Sequence, residues 1–429
     1  MRICLFEDHS VFDLEPLTLT RPVFDLLCGT SSLGQKQGRY FRPSAAGAMV
    51  RPCLAPLLRE QDPHLPVNDS AWLGLGPVVM VNGRWLPPAD DGGFVLVPFE
   101  PCLGMIGNEV AWAVVEPEHL IGCTPLTLPH LLDDWKQTLP WRQAGGQMIA
   151  RPWDLIEQNR DSLIADFQQF GAPSSIAKRP NALSVVGPEA QLWLDPTARV
   201  DPQVVVDTTS GPVIVDRCAF IASFTRLEGP CYVGPGSQVL GGKIRTGTTI
   251  GPYCRIGGEV EASIVHGFSN KYHDGFLGHS YVGEWVNIGA GAHTSDLRHD
   301  YGEVIITVAG ARVTTGCTKV GSFIGDHTKI GLGCLLNTGT NIGVFASVLP
   351  AGKLLPRHVP SFCSVKHGNL AENDDMEELL PTAEEVMARR GIRFTRTHQH
   401  LYRAVYAQTE AQRREALPQA EQRRWARSA

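Results

Sequence analysis

The sequence predicts an α/β N-terminal domain, then a left-handed parallel β-helix of hexapeptide repeats, then a helical C-terminal tail. Three observations carry this reading. In the second half an aliphatic residue recurs every six positions, often with glycine beside it. In residues 1–180 short apolar runs alternate with helix-like polar stretches. After about Pro360 the six-residue period stops. The expected domains are therefore 1–180, 181–362 and 363–429.

The repeat runs Val215, Ile221, Leu227, Val233, Val239, then slips to Ile244, Ile250 and Ile256. It returns at Val282 and Ile288, and again at Ile324, Ile330, Leu336, Ile342, Val348 and Leu354. A period of six fits neither a helix nor a plain strand. It fits short strands joined by tight corners, with one side chain per hexad pointing inward and three hexads closing a triangular turn. The period breaks between Ala262 and Tyr281, and between Ala292 and Val313. Both breaks are rich in His, Lys, Arg and Asp, as expected of loops that carry chemistry.

In the first domain Arg2–Phe6, Val78–Val81, Phe94–Val97 and Val110–Val115 read as strands. A helix is expected after Pro152, with Leu155, Ile156, Leu163, Ile164 and Phe167 on one face. In the tail, Thr382 with Glu385 reads as a capping box opening one helix. A second helix from about His398 to Ala416 carries Leu401, Ala404 and Val405. Acids and arginines balance in the tail, so packing is a better explanation for it than binding.

Composition narrows the class. A chain of 429 residues implies two or three domains. With 43% hydrophobic and 19% charged residues it is not mostly disordered. A formal charge of -6 argues against a general nucleic-acid binder. No run approaches the ~20 apolar residues that span a bilayer. The opening MRICLFEDHS has acids where a signal peptide is apolar. A cytoplasmic protein without a membrane partner is expected. The 11 dispersed cysteines contain no CxxC pair and read as reduced thiols.

Imidazole titrates near neutral pH, so a histidine in the polar breaks suits general-base work. His273 is the first candidate and His279 its rival. The spacings of His266, His273, His279, His293 and His299 match no metal-ligand pattern.

The run Phe276–Gly291, FLGHSYVGEWVNIGAG, resembles the active-site turn of a bacterial bifunctional family. Its members join glucosamine-1-phosphate acetyltransferase to N-acetylglucosamine-1-phosphate uridyltransferase. Over residues 1–370 the chain is similar to a divergent branch, sugar nucleotidyltransferases that open like Leu5–Asp8 (LFED) and Leu14–Thr30 (LEPLTLTRPVFDLLCGT).

The resemblance implies roles. His273 falls on the general base, Asn287 on a residue touching the sugar, and Ala290 on the amide that meets the thioester carbonyl. Phe276 replaces a substrate-binding Tyr, Arg245 matches an Arg that binds sugar phosphate, and Ser322 a Ser near the acyl-CoA. The family lysine is Ser263 here, with Lys271 as a substitute. Ser295–Tyr301 replaces the NYDG stretch.

In the first domain the Gly-rich AGxGTRM loop is missing. Glu7–Gly29 stands in its place, with Arg21 and Asp25 as nucleotide-binding candidates. A structural salt bridge is an equal reading of Arg21. Asn82 stands where the family keeps a magnesium-binding Asp.

The implied function is transfer of acetyl or another acyl group from acyl-CoA to an amino-sugar phosphate or nucleotide sugar. Nucleotidyl transfer with an NTP and Mg²⁺ is a second activity, and a homotrimer is the expected assembly. Two alternatives stay open: a nucleotidyltransferase with the β-helix as trimerising scaffold, and a non-catalytic trimer sensing sugar nucleotides.

Overall fold

A computed structural model describes residues 1–89, 100–170, 183–352, 354–373 and 376–417. The first domain is built on a six-stranded sheet. Its order is Ala45–Met49, Arg2–Phe6, Val78–Asn82, Glu109–Val115, Cys102–Ile106, Trp141–Gln143. The first three strands are parallel, and Glu109–Val115 is antiparallel to Val78–Asn82. Three of the expected strands are therefore present, while Phe94–Val97 lies outside the described residues. Val78, Val79, Met80 and Val81 are all fully buried, as a central strand covered on both faces requires.

The expected helix spans Pro152–Phe167. Asp154 caps it, accepting from the Ala150 and Arg151 amides at 2.8 Å each. Leu155 and Leu163 are buried, but Ile164 faces solvent and Asn159 is buried in its stead. The Asn159 amide donates to Gly247 O at 2.8 Å, so this helix wedges the domain against the coil.

The β-helix has three faces of parallel strands. The first runs from Ser184–Val186 to Phe276–Gly278, six hydrogen-bonded strands among the described residues, beyond which His293–Thr294 pairs with Leu335–Leu336. The second runs from Leu192–Leu194 to His358–Val359, nine strands. The third runs from Arg199–Val200 to Cys363–Lys366, and Asn369–Glu372 then folds back antiparallel and covers its edge. Every aliphatic of the first repeat run, Val215 to Ile256, is at most 1% exposed. Each such burial contributes about 1.5–3 kcal/mol, and this column holds the coil together. The last hexad position slips by one: Leu354 is exposed, and Leu355 points inward.

Two expectations about the breaks are corrected. The stretch Ala262–Tyr281 is not a projecting loop; Ile264–Gly267, Asn270–Lys271 and Phe276–Gly278 form an ordinary coil. The period is hidden because Lys271 takes an inward aliphatic position, between Ile256 and Ile288 on the third face. The second break does project, as a hairpin of Ile305–Val308 with Ala311–Thr314. It does not reach outward, however. Val304, Ile306 and Val308 pack with Val11, Leu14, Trp153 and Phe323, so the hairpin and first domain together cover the second face.

The tail is corrected too. Its first helix is Met376–Ala388 and contains Pro381, so Thr382 opens nothing. Its second is Arg396–Gln408, burying Leu401, Tyr402 and Val405. These pack on Leu54, Leu57 and Leu58 of the first domain and on Phe345 and Phe362 of the coil. Those two belong to a ladder of corner residues, Tyr253, Phe268, Trp285, His327, Phe345 and Phe362, all at φ between 53 and 61°. A left-handed corner disfavours a non-glycine residue by about 1–2 kcal/mol. Stacking of the successive rings, 4.4–6.1 Å between centroids, offsets part of that cost.

All eleven cysteines are free thiols. Among the described residues no helix is long and apolar enough to cross a membrane.

Candidate functional site

Two polar centres stand out, one on a corner of the coil and one between the domains. The first lies between the third and first faces. Asn270 pairs in register with Asn287, and the Gly291 amide donates to Asp274 O at 2.9 Å. By the same spacing His273 and Ala290 hold equivalent places on successive rungs, ~4.8 Å apart along the coil. Both are exposed. Among the described residues nothing accepts from the Ala290 amide. Gly275 makes the turn possible: at φ 137°, any Cβ would collide with the Ala292 carbonyl.

Phe276, the next strand's first residue, donates its amide to His293 Nδ1 at 3.2 Å. Arg245 is on the first face among Glu228, Glu259 and Glu261, at 3.5, 3.1 and 3.6 Å. Glu259 in turn pairs in register with Phe276. His273, Ala290, Asn287 and Phe276 thus belong to neighbouring rungs around one corner, whereas Arg245 stands two rungs away at the other end of the first face, level with Glu261 and Gly278.

Lys271 does not present its amine to this surface. It is 3% exposed, and its Nζ donates inward to Gly257 O at 2.8 Å and to His273 O at 3.2 Å. Burial lowers it to about 8, against the opposing pull of Asp274 and Glu259. It ties down the His273 corner from inside. Lys271→Met would restore the aliphatic column and remove both ties. The expected result is unchanged or higher stability with a roughly tenfold lower turnover at similar KM. Its folded-state pKa lies below the ordinary 10.5, so it adds stability as pH rises from about 8 toward 10.5. That rise should shrink in the variant, as read by denaturant titration across this pH range.

Ser322 is not at this corner. It starts a second-face strand, is fully buried, and among the described residues its Oγ has no hydrogen-bond partner. Close to it, at the opposite corner, His279 Nδ1 lies 2.7 Å from Asp296 Oδ2. Burial acts to raise the Asp296 carboxyl, but that hydrogen bond and the His279 and Lys319 charges outweigh it and hold it low. The pair is one coil apart in sequence, 17 residues, a spacing that could have flagged it.

The second centre joins the domains. Arg21 reaches the coil, its Nη1 3.2 Å from Glu284 and its Nη2 paired with Asp326. His266 Nδ1 is 3.2 Å from Glu284, and Thr20 Oγ1 donates to Asp326 at 2.6 Å. Burial would raise the Glu284 carboxyl; Arg21 and His266 overcome it and hold it far below its ordinary range. Of the two roles open to Arg21, this geometry is that of the salt bridge. Asp25 lines the same cavity of about 320 Å³, and burial raises it to about 6 despite Arg21 and His266. A cavity with three carboxylates and one arginine is not built to attract a triphosphate.

In an open α/β sheet a nucleotide is expected beyond the C-terminal ends of the parallel strands. That ground is filled here. Arg51 pairs with Glu7 at 3.0 Å, Arg84 pairs with Asp8 at 2.6 Å and with Glu109. A Cβ on Gly83 would stand 2.8 Å from Val23, which folds down from the Glu7–Gly29 segment. Asn82 is 1% exposed; its amide donates to Asp8 and Val110 O, and its oxygen accepts from Arg84 N. With both ends used and a guanidinium alongside, Asn82 does not fit Mg²⁺. Among the described residues no three His, Cys, Asp or Glu side chains gather around a metal-sized point.

Comparison with known proteins agrees with the architecture. Residues 3–172 match the sugar nucleotidyl transferase family. A bifunctional sugar-1-phosphate nucleotidylyltransferase/acetyltransferase of Sulfurisphaera tokodaii is 36% identical over 157 residues, 35% of this chain and 38% of that protein. The bifunctional protein GlmU of Synechococcus elongatus is 26% identical over 198 residues, 39% of each chain. The uncharacterized acetyltransferase YaiX of Escherichia coli is 25% identical over 216 residues, 48% of this chain and 94% of its own. The chain is a divergent relative of the bifunctional proteins, and the matches span little more than a third of their length.

Proposed function

We propose that this protein is an acyl-CoA-dependent transferase that acylates an amine or hydroxyl of a sugar phosphate or nucleotide sugar. The observation that carries the reading is the exposed His273 one rung from the unpartnered Ala290 amide. Acyl-CoA supplies the activated carbonyl. The His273 imidazole takes the proton of the attacking amine or hydroxyl as its bond to that carbonyl forms. The Ala290 N–H donates to the oxygen that gains negative charge, and the proton then passes to the departing sulfur. Asn287 and Phe276 are suited to orient the acceptor. An assay of the full chain with acetyl-CoA against a panel of amino-sugar phosphates, following thiol release, tests this; no release with any acceptor would overturn it.

The family match of residues 3–172 favours a second reading, sugar-1-phosphate nucleotidyl transfer. The filled crevice and the engaged Asn82 speak against it. Calorimetry with UTP and Mg²⁺ should accordingly show no binding to the first domain, and tight binding would restore this reading.

A homotrimer is the proposed assembly. The second face is covered within the chain, whereas the His273 corner is followed upward by Leu332, Leu335, Leu349 and Leu354, 42–71% exposed. Apolar surface of this kind calls for a covering partner, and a second copy would bring it to the acyl-transfer corner. Light scattering should give three times 46.8 kDa; a monomer at micromolar concentration would sink the proposal.

A further inference from the structure

We infer that Arg255, Asn270 and Arg390 form a binding site for a phosphate or pyrophosphate group, built jointly by the coil and the C-terminal tail. Arg255, Asn270, Asn287 and Lys329 hold successive outward positions on the third face. Their spacing along the coil is ~4.8 Å per rung. The tail comes down on this row just after its first helix, where Arg390 Nη2 donates to Asn270 Oδ1 at 2.8 Å.

The cations here are uncompensated. Arg199, Arg226 and Arg245, on the same coil, each pair with a carboxylate. Among the described residues Arg255, Arg389 and Arg390 have none within ion-pair distance, and the Lys329 ammonium has only Trp285 O at 2.7 Å. Burial, then the charges of Arg255 and Arg389, disfavour the charged form of Arg390. A tail whose acids equal its arginines nevertheless sets two arginines beside a third. Like charges brought together in a half-buried place are unfavourable until an anion joins them.

Guanidinium forks match phosphate oxygens two at a time, which selects phosphate over a single carboxylate. Asn287, exposed on the next rung, connects the site to the acyl-transfer corner. The phosphate could come from the acyl donor or from a nucleotide sugar. The site itself does not depend on the acyl-transfer reading.

Calorimetry of the full chain with inorganic pyrophosphate tests it. Binding is expected at low salt, weaker at physiological salt. It should fall about tenfold or more in Arg255→Gln and in Arg390→Gln, vanish in the double variant, and stay unchanged in Arg199→Gln. Stronger binding of CoA than of its 3′-dephospho form would assign the donor's 3′-phosphate. Equal binding would assign its pyrophosphate, and displacement of pyrophosphate by UDP-N-acetylglucosamine but not CoA would assign a nucleotide sugar. No pyrophosphate binding at low salt, or undiminished binding in the double variant, overturns the site. If pyrophosphate binds as described and no acyl transfer is found, only the acyl-transfer reading falls.

Discussion

Replacing His273 by alanine should lower acyl transfer by about 10²–10⁴-fold, the usual cost of losing general-base help. The side chain is exposed and supports no core, so melting temperature and oligomeric state should not move. The backbone tie from Lys271 to His273 O remains in the variant, and the Ala290 amide keeps its place. Turnover should therefore fall while the KM for acyl-CoA changes little. His279→Ala is the necessary comparison, because His279 has the better-oriented ring through Asp296. If that variant is inactive and His273→Ala stays within a few-fold of wild type, the base has been assigned to the wrong corner.

Replacing Arg21 by alanine should destabilise the protein by about 3 kcal/mol, because Asp326 is left buried without its cation and Glu284 keeps only His266. The contact joins the two domains, so calorimetry should show the single wild-type transition splitting, with the first domain melting separately from the coil. Arg21→Lys should recover part of the loss, since one ammonium cannot reach both carboxylates as a guanidinium does. The pH dependence has a definite sign. Glu284 has a depressed folded-state pKa, so its contribution is present above its ordinary 4.5 and is lost as pH falls. The gap between wild type and Arg21→Ala should narrow in acid. Asp25 acts oppositely: raised from 3.8 to about 6, it weakens the folded state as pH rises through that window. A gap that widens in acid would contradict the assignment of Glu284 as the partner.

The sequence by itself determined the coil. A six-residue aliphatic period permits only a chain whose every sixth side chain enters one column, and Val215 to Ile256 do so without exception. The strands at Arg2–Phe6 and Val78–Asn82 were legible for a similar reason, their apolar runs being local. The grouping of His273 with Asn287 and Ala290 came from the family resemblance instead, since the repeat broke across Ala262–Tyr281 and concealed the rung on which His273 stands.

Contacts between distant segments were not legible. The Ala262–Tyr281 coil was hidden by Lys271, whose inward ammonium is tolerated only because two carbonyls from neighbouring corners accept from it. The helix start at Met376 was missed because a capping box at Thr382 competes locally, and packing of Met376 and Leu380 on the coil and first domain prevails. Arg21 could be either a phosphate ligand or a salt bridge until Glu284 and Asp326, some 260 and 300 positions away, were brought to it. Local spacing specifies a column of identical rungs. Which charged group faces which is decided only when the first domain, the coil and the tail close on one another, since burial removes the water that would otherwise satisfy each charge alone.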